Sequence, residues 1–200
     1  MTKLNFRLFI CFLFTCTLAF AQKQETIFDV IFKGKKIGTL HAQETKSDSK
    51  SFKELTVDTK STFLLIPIYM ESEIRTTQEK GILIEGTAYR NASRKSSDVN
   101  ATIRKIGFRL YERERNGVKD KMKSKPIRFC VVDLYFKEPL KIKEVFSNMY
   151  VEMLQLKQID TGKYQLITPD NNHSIYNYAN GKLVSIEANT LLGKIVSKRI

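Results

Sequence analysis

The sequence predicts a mainly β domain: a curved antiparallel sheet forming a partial or closed barrel, with one short helix near residues 128–136. Three observations point there. Apolar and polar residues alternate with period two through most of the chain after Gln22, the signature of half-buried strands. Turn dipeptides such as Lys80-Gly81, Asn116-Gly117, Thr161-Gly162 and Asn180-Gly181 punctuate those runs, as hairpins require. Only one stretch has helical spacing.

The elements follow in order. Thr26 to Phe32 is rich in β-branched and aromatic residues, Gly34 interrupts it, and Ile37 to Ala42 resumes, so residues 26–45 read as a hairpin. Lys46 to Ser51 is a polar connector. From Phe52 to Thr62, Leu55, Val57, Thr59 and Ser61 share one face against Glu54, Thr56, Asp58 and Lys60. Phe63 to Met70 is densely apolar and carries Pro67, which fits a strand buried on both sides or a bend at the proline. Ser72, Ile74 and Thr76 then oppose Glu71, Glu73 and Arg75. After the Lys80-Gly81 turn, Ile82, Ile84, Gly86 and Ala88 are expected on one face and Leu83, Glu85, Thr87 and Tyr89 on the other. Val99, Ala101 and Ile103 keep the period, as do Phe108 and Leu110 ahead of Asn116-Gly117.

Ile127, Val131, Leu134 and Tyr135 fall near i, i+4, i+7 and i+8, the spacing of one helix face. Phe129-Cys130-Val131-Val132 also suits a buried strand, and Glu138-Pro139 ends either element. Strand patterns return at Tyr150–Ile159, Lys163–Thr168, Ser174–Tyr178 and Lys182–Ala188, and a last segment, Leu192–Arg199, is expected to close the sheet. No fixed-period repeat and no low-complexity linker occurs.

The amino terminus predicts export. Lys3 and Arg7 precede a greasy run from Leu8 to Phe20, and Ala19-Phe20-Ala21 offers a small-x-small cleavage site. That run is 13 residues long, too short to span a bilayer comfortably. The expectation is a signal peptide over residues 1–21, cleavage near Ala21, and a single β-rich domain over 22–200 in the periplasm or outside the cell. No later stretch approaches 18 continuous apolar residues. Cys11 and Cys16 lie in the leader, so Cys130 alone remains and no intrachain disulfide can form. Removing Lys3 and Arg7 from the formal charge of +13 leaves +11 on the trimmed chain. Such a bias attracts anionic surfaces, and export makes nucleic acid the least available of them.

Residues for catalysis or metal binding are sparse. His41 sits in an alternating strand, His173 follows Pro169-Asp170-Asn171-Asn172, and Cys130 has no nucleophile motif around it. A histidine beside Cys130, or His173 working with Asp170 or Glu187, is the enzymatic alternative. Two histidines and one cysteine far apart do not make a zinc site, and no phosphate-cradling glycine loop occurs. The expectation is no catalytic, metal or cofactor site. Two features stand out. Phe63, Leu65, Ile68 and Tyr69 could line an apolar concavity for a lipid or other greasy ligand. Lys119, Lys121, Lys123 and Lys125 would project from one side of an extended segment. That comb is either an edge strand guarded against aggregation or a contact for anionic lipid or polysaccharide.

Several motifs are shared with a known family. Leu134-Tyr135-Phe136-x-Glu138-Pro139, Val145-Phe146-Ser147, Tyr164 before Thr168-Pro169-Asp170, Tyr176-x-Tyr178-x-x-Gly181-x-Leu183 and Leu192-Gly193-Lys194-Ile195 resemble a family of small exported bacterial proteins known only as a domain of unknown function. Phe28-Asp29-Val30-x-x-x-Gly34-x-x-Ile37-Gly38 is consistent with it. One position departs: the family tends to follow Phe-Ser with an acidic residue, where this chain has Asn148. The resemblance implies a curved, mostly antiparallel sheet, similar in shape to the half-barrels that carry lipoproteins or lipids between bacterial membranes. A shared shape does not transfer a function. Three roles stay open from the sequence: an exported, non-enzymatic envelope protein that binds an apolar or amphiphilic ligand or acts as an accessory, a surface-attachment module, and an enzyme without a recognisable motif.

Overall fold

A computed structural model describes residues 22–63, 66–93, 95–190 and 193–200. Its amino-terminal half is a meander of long hairpins: β1 (Gln22–Phe32), β2 (Lys35–Ser47), β3 (Lys50–Phe63), β4 (Ile66–Glu79), β5 (Ile82–Ala92), β6 (Val99–Gly107), β7 (Leu110–Arg115) and β8 (Val118–Lys123). The carboxyl half adds β9 (Glu144–Ser147), β10 (Glu152–Asp160), β11 (Lys163–Ile167), β12 (His173–Ala179), β13 (Lys182–Thr190) and β14 (Gly193–Arg199). All pairings between strands are antiparallel, in one sheet ordered β8-β7-β6-β5-β4-β3-β2-β1-β14-β13-β12-β11-β10-β9. The sheet curls without closing, so the fold is a partial barrel. The last segment lies in the middle of it: β14 pairs with β1 through Phe32–Ile195 and with β13 through Ile186–Ser197, joining the two halves instead of closing the ends.

Turn chemistry explains the short connections. Lys33-Gly34, Lys80-Gly81, Asn116-Gly117 and Asn180-Gly181 each place both residues at positive φ, the geometry that matches the twist of a two-residue hairpin.

One face of the sheet is buried. Phe28 and Val30, Leu40 and Ala42, Leu55, Ile74, Leu83, Ala88, Val99, Ala101 and Ile103 point inward from the first half, and Leu154, Leu156, Tyr164, Leu166, Tyr176, Leu183 and Ile186 from the second. The expected faces hold on β3 and β4. On β5 they hold only beyond a bulge. Gln78 pairs with Leu83 and Thr77 with Glu85, so Ile84 is an extra residue. That one-residue insertion moves Leu83 to the buried side with Gly86 and Ala88.

The segment between β8 and β9 crosses the inner face and fills it. The expected helix near 128–136 is a single 3-10 turn, Val131–Tyr135, shorter and tighter than the spacing suggested. Before it the chain is extended. The Leu83 amide donates to the Ile127 carbonyl at 2.8 Å, and the Phe146 amide donates to the Phe129 carbonyl at 2.9 Å, so this segment bonds to the inner sheet as a strand would. The buried-strand reading survives only as the isolated bridge of Cys130 to Phe146, and the helical reading only as the 3-10 turn. Tyr135 packs edge-on against Phe28 and Tyr176, with centroids 5.9 and 6.2 Å apart, and the Tyr178 hydroxyl donates to the Leu134 carbonyl at 2.6 Å.

Candidate functional site

A buried charge cluster pins the crossing segment to the sheet. Lys53 on β3 is inward-facing, two residues before Leu55, and its ammonium lies 2.8 Å from Asp133 Oδ1 and 3.4 Å from Glu44 Oε1. It also donates to Gln78 Oε1 at 2.7 Å and Ser51 Oγ at 3.0 Å. Asp133 Oδ2 accepts from Gln78 Nε2 at 3.2 Å and from the Cys130 amide at 2.6 Å, while Glu44 Oε2 meets the exposed Lys46 at 2.9 Å. Lys53, Glu44, Gln78 and Asp133 are all buried. Buried charges persist where partners saturate them, and this lysine has an acceptor for every proton it carries. An open cleft of about 440 Å³ lies against the cluster, bordered by Lys46, Lys50, Arg128, Lys137, Phe129 and Phe136.

Sequence reasoning missed this cluster, although the signal was present. Lys53 shares its parity with Leu55, Glu44 with Leu40 and Ala42, and Gln78 with Ile74 and Thr76. A charge at an inward position of a strand is the mark to look for.

The pairings named for the enzymatic alternative, a histidine with Cys130 and His173 with Asp170 or Glu187, are not formed among the described residues. Cys130 is fully buried, its Sγ is 4.0 Å from Gln78 Nε2, and burial with the nearby Asp133 carboxylate pushes its thiol well above the usual range. A buried, protonated thiol is a poor nucleophile. His41 is exposed on β2, 3.9 Å from Glu25. His173 Nε2 contacts the Asn189 amide at 3.0 Å; Asp170 instead bonds Thr168 and Asn172, and Glu187 bonds Lys194. No group of three or more His, Cys, Asp or Glu residues able to hold a metal occurs among the described residues.

The apolar candidates are only partly placed. Leu65 and the side chain of Phe63 lie outside what the structure describes. Ile68 is half-buried and Tyr69 is 42% exposed, so β4 around Pro67 is not buried on both faces. The Tyr69 amide donates to Ser93 Oγ at 2.6 Å. Clefts of about 450, 440 and 460 Å³ border other residues than Ile68 and Tyr69.

The lysine comb falls on the edge of the sheet. Lys119, Lys121 and Lys123 alternate along β8, which pairs with β7 alone, and Lys125 follows just beyond the strand. All four are exposed. Lys119 meets Glu112 at 3.1 Å; Lys121, Lys123 and Lys125 form no ion pair among the described residues. Across the gap between β8 and β9, two guanidiniums replace strand pairing. Arg113 Nη1 donates to the Val151 carbonyl and Arg115 Nε to the Met149 carbonyl, each at 2.8 Å, and Arg115 lies over the Tyr150 ring.

A family model for a domain of unknown function, DUF6134, matches residues 28–200. The chain belongs to DUF6134. No curated protein and no solved structure matches it. The match spans the sheet from β1 to β14, so the Lys53 cluster, the crossing segment and the basic edge all lie within the DUF6134 domain. No helix among the described residues is long and apolar enough to cross a membrane.

Proposed function

We propose that this DUF6134 chain is an exported, non-enzymatic envelope protein that attaches to an anionic surface through the β8 side of its sheet. The supporting observation is the concentration of exposed cations there. Lys119, Lys121 and Lys123 occupy a strand with one free edge, Lys125 continues the row, Arg109 is exposed at the adjoining β6–β7 turn, and the half-buried Lys105 lies near the end of β6. Like charges so arranged repel each other, and an anionic partner offsets that repulsion more fully than water does. The filled inner face also favours the outside of the sheet over its interior as the working surface. Export rests on the leader-like residues 1–21 and is tested by sequencing the amino terminus of the envelope-bound protein, which should begin near Gln22. Attachment is tested by adsorption to dextran sulfate beads at rising salt. Binding should weaken steeply as the screening length shrinks below about 8 Å. Replacing Lys119, Lys121, Lys123 and Lys125 with Glu should abolish it; unchanged adsorption would refute the reading.

A second reading is an amphiphile site in the cleft beside Lys53. Two phenylalanines, Phe129 and Phe136, face a border carrying Lys46, Lys50, Arg128 and Lys137, which suits a molecule with an apolar body and an anionic end. Native mass spectrometry of protein purified from its own envelope tests it: a co-purifying amphiphile that is lost on Arg128→Glu supports the site, and a clean apo mass argues against it.

A further inference from the structure

We infer that the β6–β7 hairpin is a bilayer-docking tip, with Phe108 as its inserted anchor and an anionic lipid surface as its partner. This rests on the surface-attachment reading and selects lipid over polysaccharide. Phe108 stands at the tip of the hairpin with 80% of its surface exposed, and Ile106 beside it is 43% exposed. The other two-residue hairpin tips whose residues are all described, Lys33-Gly34, Asp48-Ser49, Lys80-Gly81, Asn116-Gly117, Thr161-Gly162 and Asn180-Gly181, are polar or glycine throughout, and the longer apolar tip Asn148–Val151 keeps Val151 buried and Met149 and Tyr150 half-buried. An aromatic ring at a turn satisfies no turn geometry and gains nothing from water. It is stabilised where an apolar phase is at hand.

The surroundings say which phase. Exposed Arg109 shares the turn with Phe108, and half-buried Lys105 lies three residues before Phe108 on β6. The Ser124 amide donates to the Arg109 carbonyl at 3.1 Å, which holds Lys123 and Lys125 alongside. None of these four cations forms an ion pair among the described residues. An apolar point ringed by basic side chains is the arrangement of an interfacial anchor: the ring enters the headgroup–acyl boundary while the cations meet lipid phosphates and extend along the surface. A soluble polysaccharide offers the same negative charge but no apolar layer, so it leaves Phe108 unused.

The test uses the trimmed full chain, the vesicles named below and dextran sulfate. Sedimentation should show binding to phosphatidylcholine vesicles containing about 30% phosphatidylglycerol at low salt, and little binding to phosphatidylcholine alone. Phe108→Ser should weaken vesicle binding about tenfold or more while leaving dextran sulfate adsorption unchanged. The chain has no tryptophan, so Phe108→Trp supplies a single reporter whose emission should shift to the blue on adding anionic vesicles. No blue shift, or equal vesicle binding by Phe108→Ser and the parent, overturns the tip. So does loss of vesicle binding on Leu64→Ser/Leu65→Ser with binding retained in Phe108→Ser. If the parent binds neither dextran sulfate nor anionic vesicles, the surface-attachment reading falls as well; if it binds both and Phe108 is silent, only the docking tip does.

Discussion

The Lys53 ammonium and the Asp133 carboxylate meet at 2.8 Å on the inner side of the curved sheet, tying β3 to the 3-10 turn of the crossing segment. Removing one partner leaves the other charged in a buried site. Lys53→Met should therefore destabilise the fold by about 3–5 kcal/mol, since Asp133 would lose its cation inside the protein and Glu44 would keep only the exposed Lys46. Urea unfolding measures it; a loss below about 1 kcal/mol would show that the cluster is solvated in solution.

Gly86 makes room for Asn148. A Cβ at position 86 would lie 2.2 Å from Asn148 Nδ2, which bonds the Arg75 carbonyl at 3.3 Å. Gly86→Ala should cost about 1–3 kcal/mol by overpacking. In an Asn148→Ala background the added cost should shrink, because the conflicting side chain is gone. Equal losses in both backgrounds would locate the strain in the backbone instead.

The buried tyrosines make the protein sensitive to alkali. Burial and a hydrogen bond to Glu138 Oε1 at 2.9 Å push the Tyr164 hydroxyl up to about 12, and burial drives Tyr135, Tyr176 and Tyr178 upward as well. A tyrosine whose folded value lies above its unfolded value contributes stability below about pH 10. That contribution is lost as pH rises toward the folded value near 12. Absorbance at about 295 nm should therefore show these phenols ionising together with the loss of near-ultraviolet dichroism. Ionisation of all eight tyrosines near pH 10, with the fold intact, would contradict the packing.

Arg113 and Arg115 join β7 to the β9–β10 loop by two hydrogen bonds to carbonyls. Bonds of this charge-assisted kind stabilise by about 1.5–3 kcal/mol each. Arg113→Ala/Arg115→Ala should speed amide exchange in residues 148–151 and in β8 while leaving β1–β4 protected. Uniform acceleration across the sheet would mean that the gap is not a separate weak point.

Cys130 should resist thiol reagents until the chain unfolds, because no part of it is exposed and its thiol is held protonated. Rapid modification of the native protein by dithionitrobenzoate would show that the crossing segment opens readily.

Much of the sheet was legible because strand parity is a local code. The alternation Ser72, Ile74, Thr76 against Glu71, Glu73, Arg75 maps directly onto the buried and exposed faces of β4. The code failed at Ile84, where a bulge supplies one unpaired residue, and a bulge is set by the partner strand and not by the run that contains it. The Lys53 cluster went unread for a related reason. Lys53 alone looks like an exposed lysine, and only its fixed parity beside Leu55, with Asp133 arriving from 80 residues away, makes it buried. The lysine comb reads in the sequence as a guarded edge strand or a contact for an anionic surface, and the strand order puts it on the edge.

The sequence by itself indicated the class of the fold, the alternating faces of β3 and β4, and the turns at Lys80-Gly81, Asn116-Gly117 and Asn180-Gly181, while β9 and the reversal between Phe63 and Ile66 went unread. The features it indicated depend on neighbours a few positions apart. Tertiary structure alone decided that β14 joins the two halves, that the chain from Ile127 to Phe146 fills the inner face of the curved sheet, and that Arg113 and Arg115 span the opening. These are pairings between distant segments, chosen by the competition of many weakly specific apolar faces for one interior, and no local pattern records which face wins.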